Sequence, residues 1–389
     1  MVEYPFATEE QKELALIART IMEKELKPRI HEFENANDGK GIFPLDVLKK
    51  MAEAGFYCMD IPEEWGGLGL DVVTKCIIQE EMSKVDAGFT FNMNGAGMNW
   101  PYLLKTKMPD EEKQMWIDRM LAGDATGAFC FTEPQAGSDA AAIKTTAVHD
   151  EEKGEWIING TKCFVTNGPC ADYFIVAAWT DKTKSAGKGI TLFFVEKDRG
   201  VQVGSIENKL GLKLSMTSDV IFDEIRVPDD HMVGAEGSAF IQFMQELDAV
   251  RIEGMIYSVG IAQAAVDEAV KYAKVRQTFG KRIIDHQALN FKLADMQIRT
   301  DASRALLYQG AQMIKAGLPL GTISSSTKCF VTESTMQTTL DAVQVLGGYG
   351  YMKDYPVEKL MRDAKIFCIF DGTNEINRMV IGRLLDKKY

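Results

Sequence analysis

A mainly α protein with a central β-domain is the fold class this 389-residue sequence predicts, from a change of texture that occurs twice along the chain. Helical patterning fills residues 1–125, short β-branched and aromatic runs fill 126–237, and long helical patterns return over 238–389. Those limits define a helical N-terminal domain, a middle antiparallel β-domain and a helical C-terminal domain. A chain of this length with 46% hydrophobic residues buries a sizeable core, and two or three domains suit its size.

The first helix is predicted from Thr8, where Thr8 and Gln11 have capping-box spacing and Leu14, Ile17 and Ile21 recur at helical intervals. The β-part is read from "EWIINGTKCFVTNG", "DYFIVAAWT", "GITLFFVEK" and "SDVIFDEIRVP", runs separated by Gly, Asp and Lys turns. The last third carries "AFIQFMQELDAVRIEGMIYSVGIAQAAVDEAVKYAKVRQTFG", "HQALNFKLADMQIRTDASRALLYQGAQMIKAG" and "TKCFVTESTMQTTLDAVQVLGG".

Composition narrows the function classes. A formal charge of −12 leaves no basic field for a phosphate backbone, so a nucleic-acid partner is not expected. The seven cysteines form no C-x-x-C pair and the four histidines lie far apart, which argues against a zinc site and a disulfide framework. No apolar stretch has the length of a membrane span, and a reducing cytoplasm is the expected compartment.

Four segments carry chemistry. "FCFTEPQAGSDAAAIKTTA" offers Thr132, Ser138 and small residues around Gly137 to a planar heterocycle or a phosphate, or forms a polar turn. "KCFVTNG" sets Thr166 beside Phe164 at a strand end. "VRQTFGKRI" joins Arg276, a fork for phosphate, to Phe279, with Gly280 read as a helix stop. "QVLGGYGYMKDYPVEKLMRDAK" has Gly347, Gly348 and Gly350 between two helices, where they admit a ligand's close approach or simply cap and turn the chain. A fifth, "KIFCIFDGTNEINRM", spends an aspartate, Asp371, ahead of Gly372. That residue either caps the following helix or does chemistry.

In this order and at these separations the segments resemble the acyl-CoA dehydrogenase family over essentially the whole chain. "FTEPQAGSDAAA" and "QVLGGYGYMKDYPVEKLMRDAK" carry the resemblance, supported by "KCFVTNG", "RQTFGKRI" and "FDGTNEINRMVIGR". It implies a C-terminal helical bundle, a homotetramer, bound FAD and an acyl-CoA thioester substrate, with electron-transferring flavoprotein as the usual acceptor. Phe131, Thr132, Gly137 and Ser138 would line the flavin or CoA side of the cleft, with Phe164 and Thr166 by the isoalloxazine. Phe164 stands where many relatives have Trp. Arg276, Phe279, Gln287, Gln344, Gly347 and Gly348 would reach FAD from a neighbouring subunit, and Thr373 and Glu375 would contact it beyond the catalytic position. Asp248 and Arg251, with Ser138 and Gly372, would bind the substrate.

The resemblance also implies the base. Removing an α-proton while a β-hydride leaves requires a proton acceptor, and Asp371 occupies a place where many relatives have Glu. The shorter side chain retracts the carboxylate by roughly 1–1.5 Å. A second branch of the family has its Glu just before the arginine of a segment like "LDAVRI", where this chain has Val250. Three further readings stay open: a base in the loop containing Asp86, Thr90 and Asn94, an enoyl-CoA reductase running the reverse reaction, and a scaffold that binds acyl-CoA or flavin without catalysis. Phe89, Phe91 and Met93 are candidate pocket residues for an uncharged acyl group. With Thr90 and Phe91 where an arginine would hold a distal carboxylate, a glutaryl-type substrate is not expected. The shortened base suggests an α-branched or alicyclic acyl group such as a cyclohexane-carboxyl type.

Overall fold

The computed structural model describes Tyr4 and residues 6–97 and 99–388. Helices fill both ends of the chain and one eight-stranded sheet lies between them. The first helix, Glu9–Ile21, begins with the reciprocal Thr8–Gln11 capping box that the spacing predicts.

The sheet contains β1 (Gly127–Cys130), β2 (Thr146–Asp150), β3 (Glu155–Thr166), β4 (Tyr173–Trp179), β5 (Ile190–Glu196), β6 (Gln202–Val203), β7 (Thr217–Pro228) and β8 (Met232–Val233). Its order is β6-β7-β3-β2-β4-β5-β8, with β1 also on β4. The longest ladders are antiparallel, but β1 and β2 pair parallel with β4, so the sheet is mixed rather than uniformly antiparallel. A parallel pair needs a long return connection, and the chain between β1 and β4 supplies it by making β2 and β3 on the way.

β4 joins two cores. Its Tyr173, Ile175 and Ala177 pack with the helices, while Phe174, Val176 and Ala178 pack into a second apolar layer with Phe193, Val195 and Phe222. Burial on both faces explains why "YFIVAA" is continuously apolar.

The long apolar pattern at 239–280 divides. Ala239–Gly254 and Ile256–Val275 are separate helices, broken at Met255. Gly280 is not a helix stop: the helix ends at Val275, and Phe279 and Gly280, with φ of 53° and 77°, turn a two-stranded hairpin of Gln277–Thr278 and Lys281–Arg282. Positive φ at both central residues suits the twist of a tight hairpin. Gln287–Lys315 and Ile323–Leu346 complete the long C-terminal helices, and Gly347, φ 60°, ends the second.

Candidate active site

Asp371 follows a short 3-10 turn, Lys365–Cys368, and has φ 55°, a left-handed state uncommon for non-glycine residues but better tolerated by aspartate than by most. Its carbonyl oxygen accepts a 3.0 Å hydrogen bond from Arg251 Nε, and Arg251 Nη1 pairs with Asp248 Oδ1 at 3.2 Å. Arg251 is only 7% exposed. Its guanidinium therefore fixes the loop that carries Asp371, and the CoA contact read for it from the sequence has to share that guanidinium. Gly372, φ 86°, lies so close that a Cβ would come within 3.4 Å of Arg251 Nη2 and of Asn377 Nδ2.

The capping alternative for Asp371 is answered by its neighbour. Thr373 Oγ1 accepts from Ile376 N and the Thr373 carbonyl accepts from Asn377 N, so Thr373 starts the Asn374–Lys388 helix. Among the described residues the Asp371 carboxylate accepts no hydrogen bond from the protein. Burial pushes its pKa up, while the charges of Lys328 and Arg251 pull it down. A half-buried carboxylate without a protein donor is suited to accept a proton. It lies against bare backbone, since a Cβ on Gly254 would be 3.7 Å from Asp371 Oδ2.

The alternative loop is committed elsewhere. Asp86 pairs with Lys359 at 2.8 Å and accepts from Phe89 N at 2.7 Å, Thr90 Oγ1 donates to the Asp86 carbonyl, and Asn94 Nδ2 donates to the Tyr257 hydroxyl at 2.6 Å. Phe89 and Met93, one helical turn apart, face the core, and Phe89 stacks on Phe43. Phe91 alone of that trio stays partly open, tilted against Phe370 at 5.1 Å and edge-on to Tyr257 at 5.6 Å.

The "TEPQAGSD" loop is built on a buried ion pair that the sequence reading did not find. Lys162 Nζ lies 2.8 Å from Glu133 Oε1 and 3.2 Å from the Phe131 carbonyl, with both side chains inaccessible to water. Glu133 also accepts from Lys144 N, Thr145 N, Thr145 Oγ1 and Gln135 Nε2. These bonds draw its pKa down to about 2 against the upward push of burial. Residues 137 and 138 are exposed at the loop tip, Thr132 is half-buried, and Phe131 is buried against Phe243 at 4.5 Å.

A bulge explains Phe164. In the β3–β7 ladder Lys162 faces Val220 and Val165 faces Ser218, so Cys163 and Phe164 together oppose Asp219. Phe164 takes φ 55° and stands 69% exposed, with Thr166 half-buried at the strand end.

Arg276, Phe279, Gln287, Gln344, Gly347 and Gly348 are exposed on a different part of the chain. The Arg276 guanidinium lies 6.0 Å from the Tyr349 ring centroid, which links the hairpin to the glycine turn. Phe279 is 95% exposed, and a Cβ on Gly347 or Gly348 would meet nothing within 4 Å. None of these side chains hydrogen-bonds to Asp371, Phe164 or Thr166. Thr373 and Glu375 border a cleft of about 440 Å³ shared with Glu333 and Cys368. An apparent cation cage of Glu112, Glu196 and His231 already holds positive charge, because Arg199 bonds to Glu196 and approaches His231 Nε2 at 3.3 Å.

Three domain families match the chain: acyl-CoA dehydrogenase N-terminal domain at 8–124, middle domain at 128–225 and C-terminal domain at 237–385. The chain belongs to the acyl-CoA dehydrogenase family. It is 40% identical to an acyl-CoA dehydrogenase of Bacillus subtilis, over 97% of this chain and 98% of that one. It is also 40% identical to a 3-(aryl)acrylate reductase of Clostridium sporogenes, over 98% and 100%. The butyryl-CoA dehydrogenase structure from Megasphaera elsdenii superposes with a TM-score of 0.91 at 35% identity, covering 99% of this chain and 100% of that one. Nothing in these relatives supports an alicyclic acyl group, and that expectation is set aside.

The family is FAD-dependent. The residues present fit that cofactor: an exposed aromatic ring at a bulge, a hydroxyl beside it, and two unobstructed glycines next to an exposed arginine. No helix among the described residues is long and apolar enough to cross a membrane.

Proposed function

We propose that this chain interconverts an acyl-CoA thioester and its enoyl-CoA, with Asp371 exchanging the α-proton. Bound FAD would supply the acceptor or donor of the β-hydride. The observation that carries the reading is the half-buried Asp371 carboxylate, which accepts no hydrogen bond among the described residues and is relieved of capping duty by Thr373. Arg251 holds the backbone of the base, and Asp248, partly exposed beside it, is the nearer candidate for the CoA portion. Ser138 and Gly372 join it on the substrate side.

Phe131, Thr132, Gly137, Ser138, Phe164 and Thr166 would hold the flavin from this chain, with Thr373 and Glu375 on the wall of the adjoining cleft. Arg276, Phe279, Gln287, Gln344, Gly347 and Gly348 would reach the FAD of another copy. Their exposure supports a homotetramer with shared sites. The domain limits read from sequence, 1–125, 126–237 and 238–389, are proposed as the units of that assembly. Electron-transferring flavoprotein is the proposed redox partner. Free cysteines throughout support a reducing cytoplasm.

A second reading runs the reaction toward reduction of an arylacryloyl thioester. It is supported by the partly open rings of Phe91 and of Phe370, the residue before Asp371, which offer an aryl group edge and face contacts.

The test is a panel of linear, branched and aryl acyl-CoA thioesters mixed anaerobically with the yellow holoenzyme, with the enoyl partners mixed with reduced enzyme. Flavin bleaching or reoxidation identifies the pair and direction. Asp371→Asn should still bind the thioester while flavin reduction falls by about 10²- to 10⁴-fold. Binding of every thioester without any redox change would establish a scaffold instead.

A further inference from the structure

Lys328 sits within the Ile323–Leu346 helix, fully buried at 0% exposure, and no carboxylate pairs with it directly among the described residues. Buried lysines are rare unless something fixes them. Here the Nζ donates to the main-chain carbonyl of Phe367 and lies 5.6 Å from the Phe370 ring centroid. Both partners belong to the turn that ends in Asp371.

The groups whose charge acts most strongly on Lys328 are Asp371, Cys368 on the 3-10 turn, Cys329 on its own helix and Arg251 on the Ala239–Gly254 helix. Asp371 is the single carboxylate in that set. In return, the cations that act on Asp371 are Lys328 and Arg251, from two different helices. Arg251 spends its hydrogen bonds on the Asp371 carbonyl and on Asp248, which leaves Lys328 as the cation without a carboxylate of its own.

We infer that Lys328 is a positioning residue for the base: its ammonium, pinned between the Phe367 carbonyl and the Phe370 ring, fixes the turn carrying Asp371 and brings a positive charge to it. The inference rests on Asp371 being the base. The electrostatics agree with the geometry. Burial pushes the Lys328 ammonium down to about 8 while Asp371 pulls it up, and burial pushes Asp371 up while Lys328 pulls it down. Without the ammonium, the carboxyl would hold its proton to higher pH and fail as an acceptor there.

The experiment measures the rate of flavin reduction by an acyl-CoA against pH in wild type, Lys328→Met and Lys328→Gln holoenzymes. Glutamine keeps a donor for the Phe367 carbonyl and removes only the charge. The expected result is retained FAD and an acid limb moved upward by about one pH unit or more in both variants, with rates recovering above it. A rate lowered equally at every pH, with the limb at its wild-type position, overturns the inference.

Should both variants fail to fold, melting of Asp371→Asn decides. The folded-state value of Lys328 lies below its unfolded value, so its burial penalty builds as pH falls from about 10.5 to about 8 and is then constant. Removing the Asp371 charge lowers the folded value further, so the Tm gap between Asp371→Asn and wild type should widen as pH falls from about 9 to about 7. A gap independent of pH overturns the inference. If Asp371→Asn reduces flavin normally, the assignment of the base fails instead.

Discussion

Replacing Glu133 by Gln tests whether the buried Glu133–Lys162 pair is what holds the "TEPQAGSD" loop. The fall of the Glu133 carboxyl from an ordinary 4.5 to about 2 corresponds to about 3 kcal/mol in favour of the ionised form. Burial pulls the Lys162 ammonium the other way, so this is an upper figure for the pair. Removing the carboxylate charge also leaves Lys162 buried with only the Phe131 carbonyl, and it turns an amide N–H₂ toward the Lys144 or Thr145 N–H groups. Together these place Glu133→Gln at about 3–5 kcal/mol of lost stability.

Lys162→Met should cost less, about 1–3 kcal/mol, because Glu133 would retain four other donors. Since the folded value is depressed, the contribution is present above pH 4.5 and disappears as pH falls toward 2. Urea unfolding of both variants at neutral and acid pH, with FAD content from the absorbance ratio, measures the effect. Equal destabilisation by the two substitutions, or full FAD occupancy in Glu133→Gln, would refute the reasoning.

Arg276→Ala should lower FAD retention and weaken assembly together, read by gel filtration with flavin absorbance; a stable monomer with full FAD would rule out the shared site. Thr373→Ala should cost about 1 kcal/mol through the lost cap of the last helix, measured by denaturant unfolding, whereas Asp371→Ala should leave that helix intact. Burial opposes charging of His231, but its bonds to Glu196 and Asp230 raise its pKa above 6.5. Its stabilisation is therefore full below 6.5 and lost as pH rises through the higher folded value, so the Tm gap between wild type and His231→Gln should be largest below 6.5 and narrow as pH rises above it.

The architecture was legible because it depends on periodicity, and so was the first cap, because a capping box is local. The hairpin at 277–282 was misread since Gly280 after a helical run looks like a stop, and the parallel pairing of β1 was hidden because non-local register leaves no local trace. Within the site, the aspartate stood out by its place ahead of Gly372. Arg251 reads from the sequence as a ligand contact, and that its guanidinium also bonds a backbone carbonyl 120 residues away leaves no local trace. Lys162 and Lys328 gave no signal: each lies in an ordinary strand or helix pattern, and only packing shows that neither reaches solvent. Phe89 and Met93 were taken for pocket residues because an apolar loop looks alike whichever side faces the core.

Phe164, Phe279 and Asp371 share a left-handed backbone. That state costs an ordinary L-residue about 1–2 kcal/mol, and glycine there escapes the cost while losing about 0.5–1 kcal/mol of chain entropy. Exchange to glycine is thus close to neutral for folding of the chain at the exposed Phe164 and Phe279, whereas Asp371→Gly would also remove the charge that faces buried Lys328. A thermostability library screened by melting of the flavin-free chain alone would accept Phe164→Gly or Phe279→Gly without registering a loss. Engineering of this enzyme for robustness must select on turnover at every round, because at these positions heat exerts no pressure to keep the side chain.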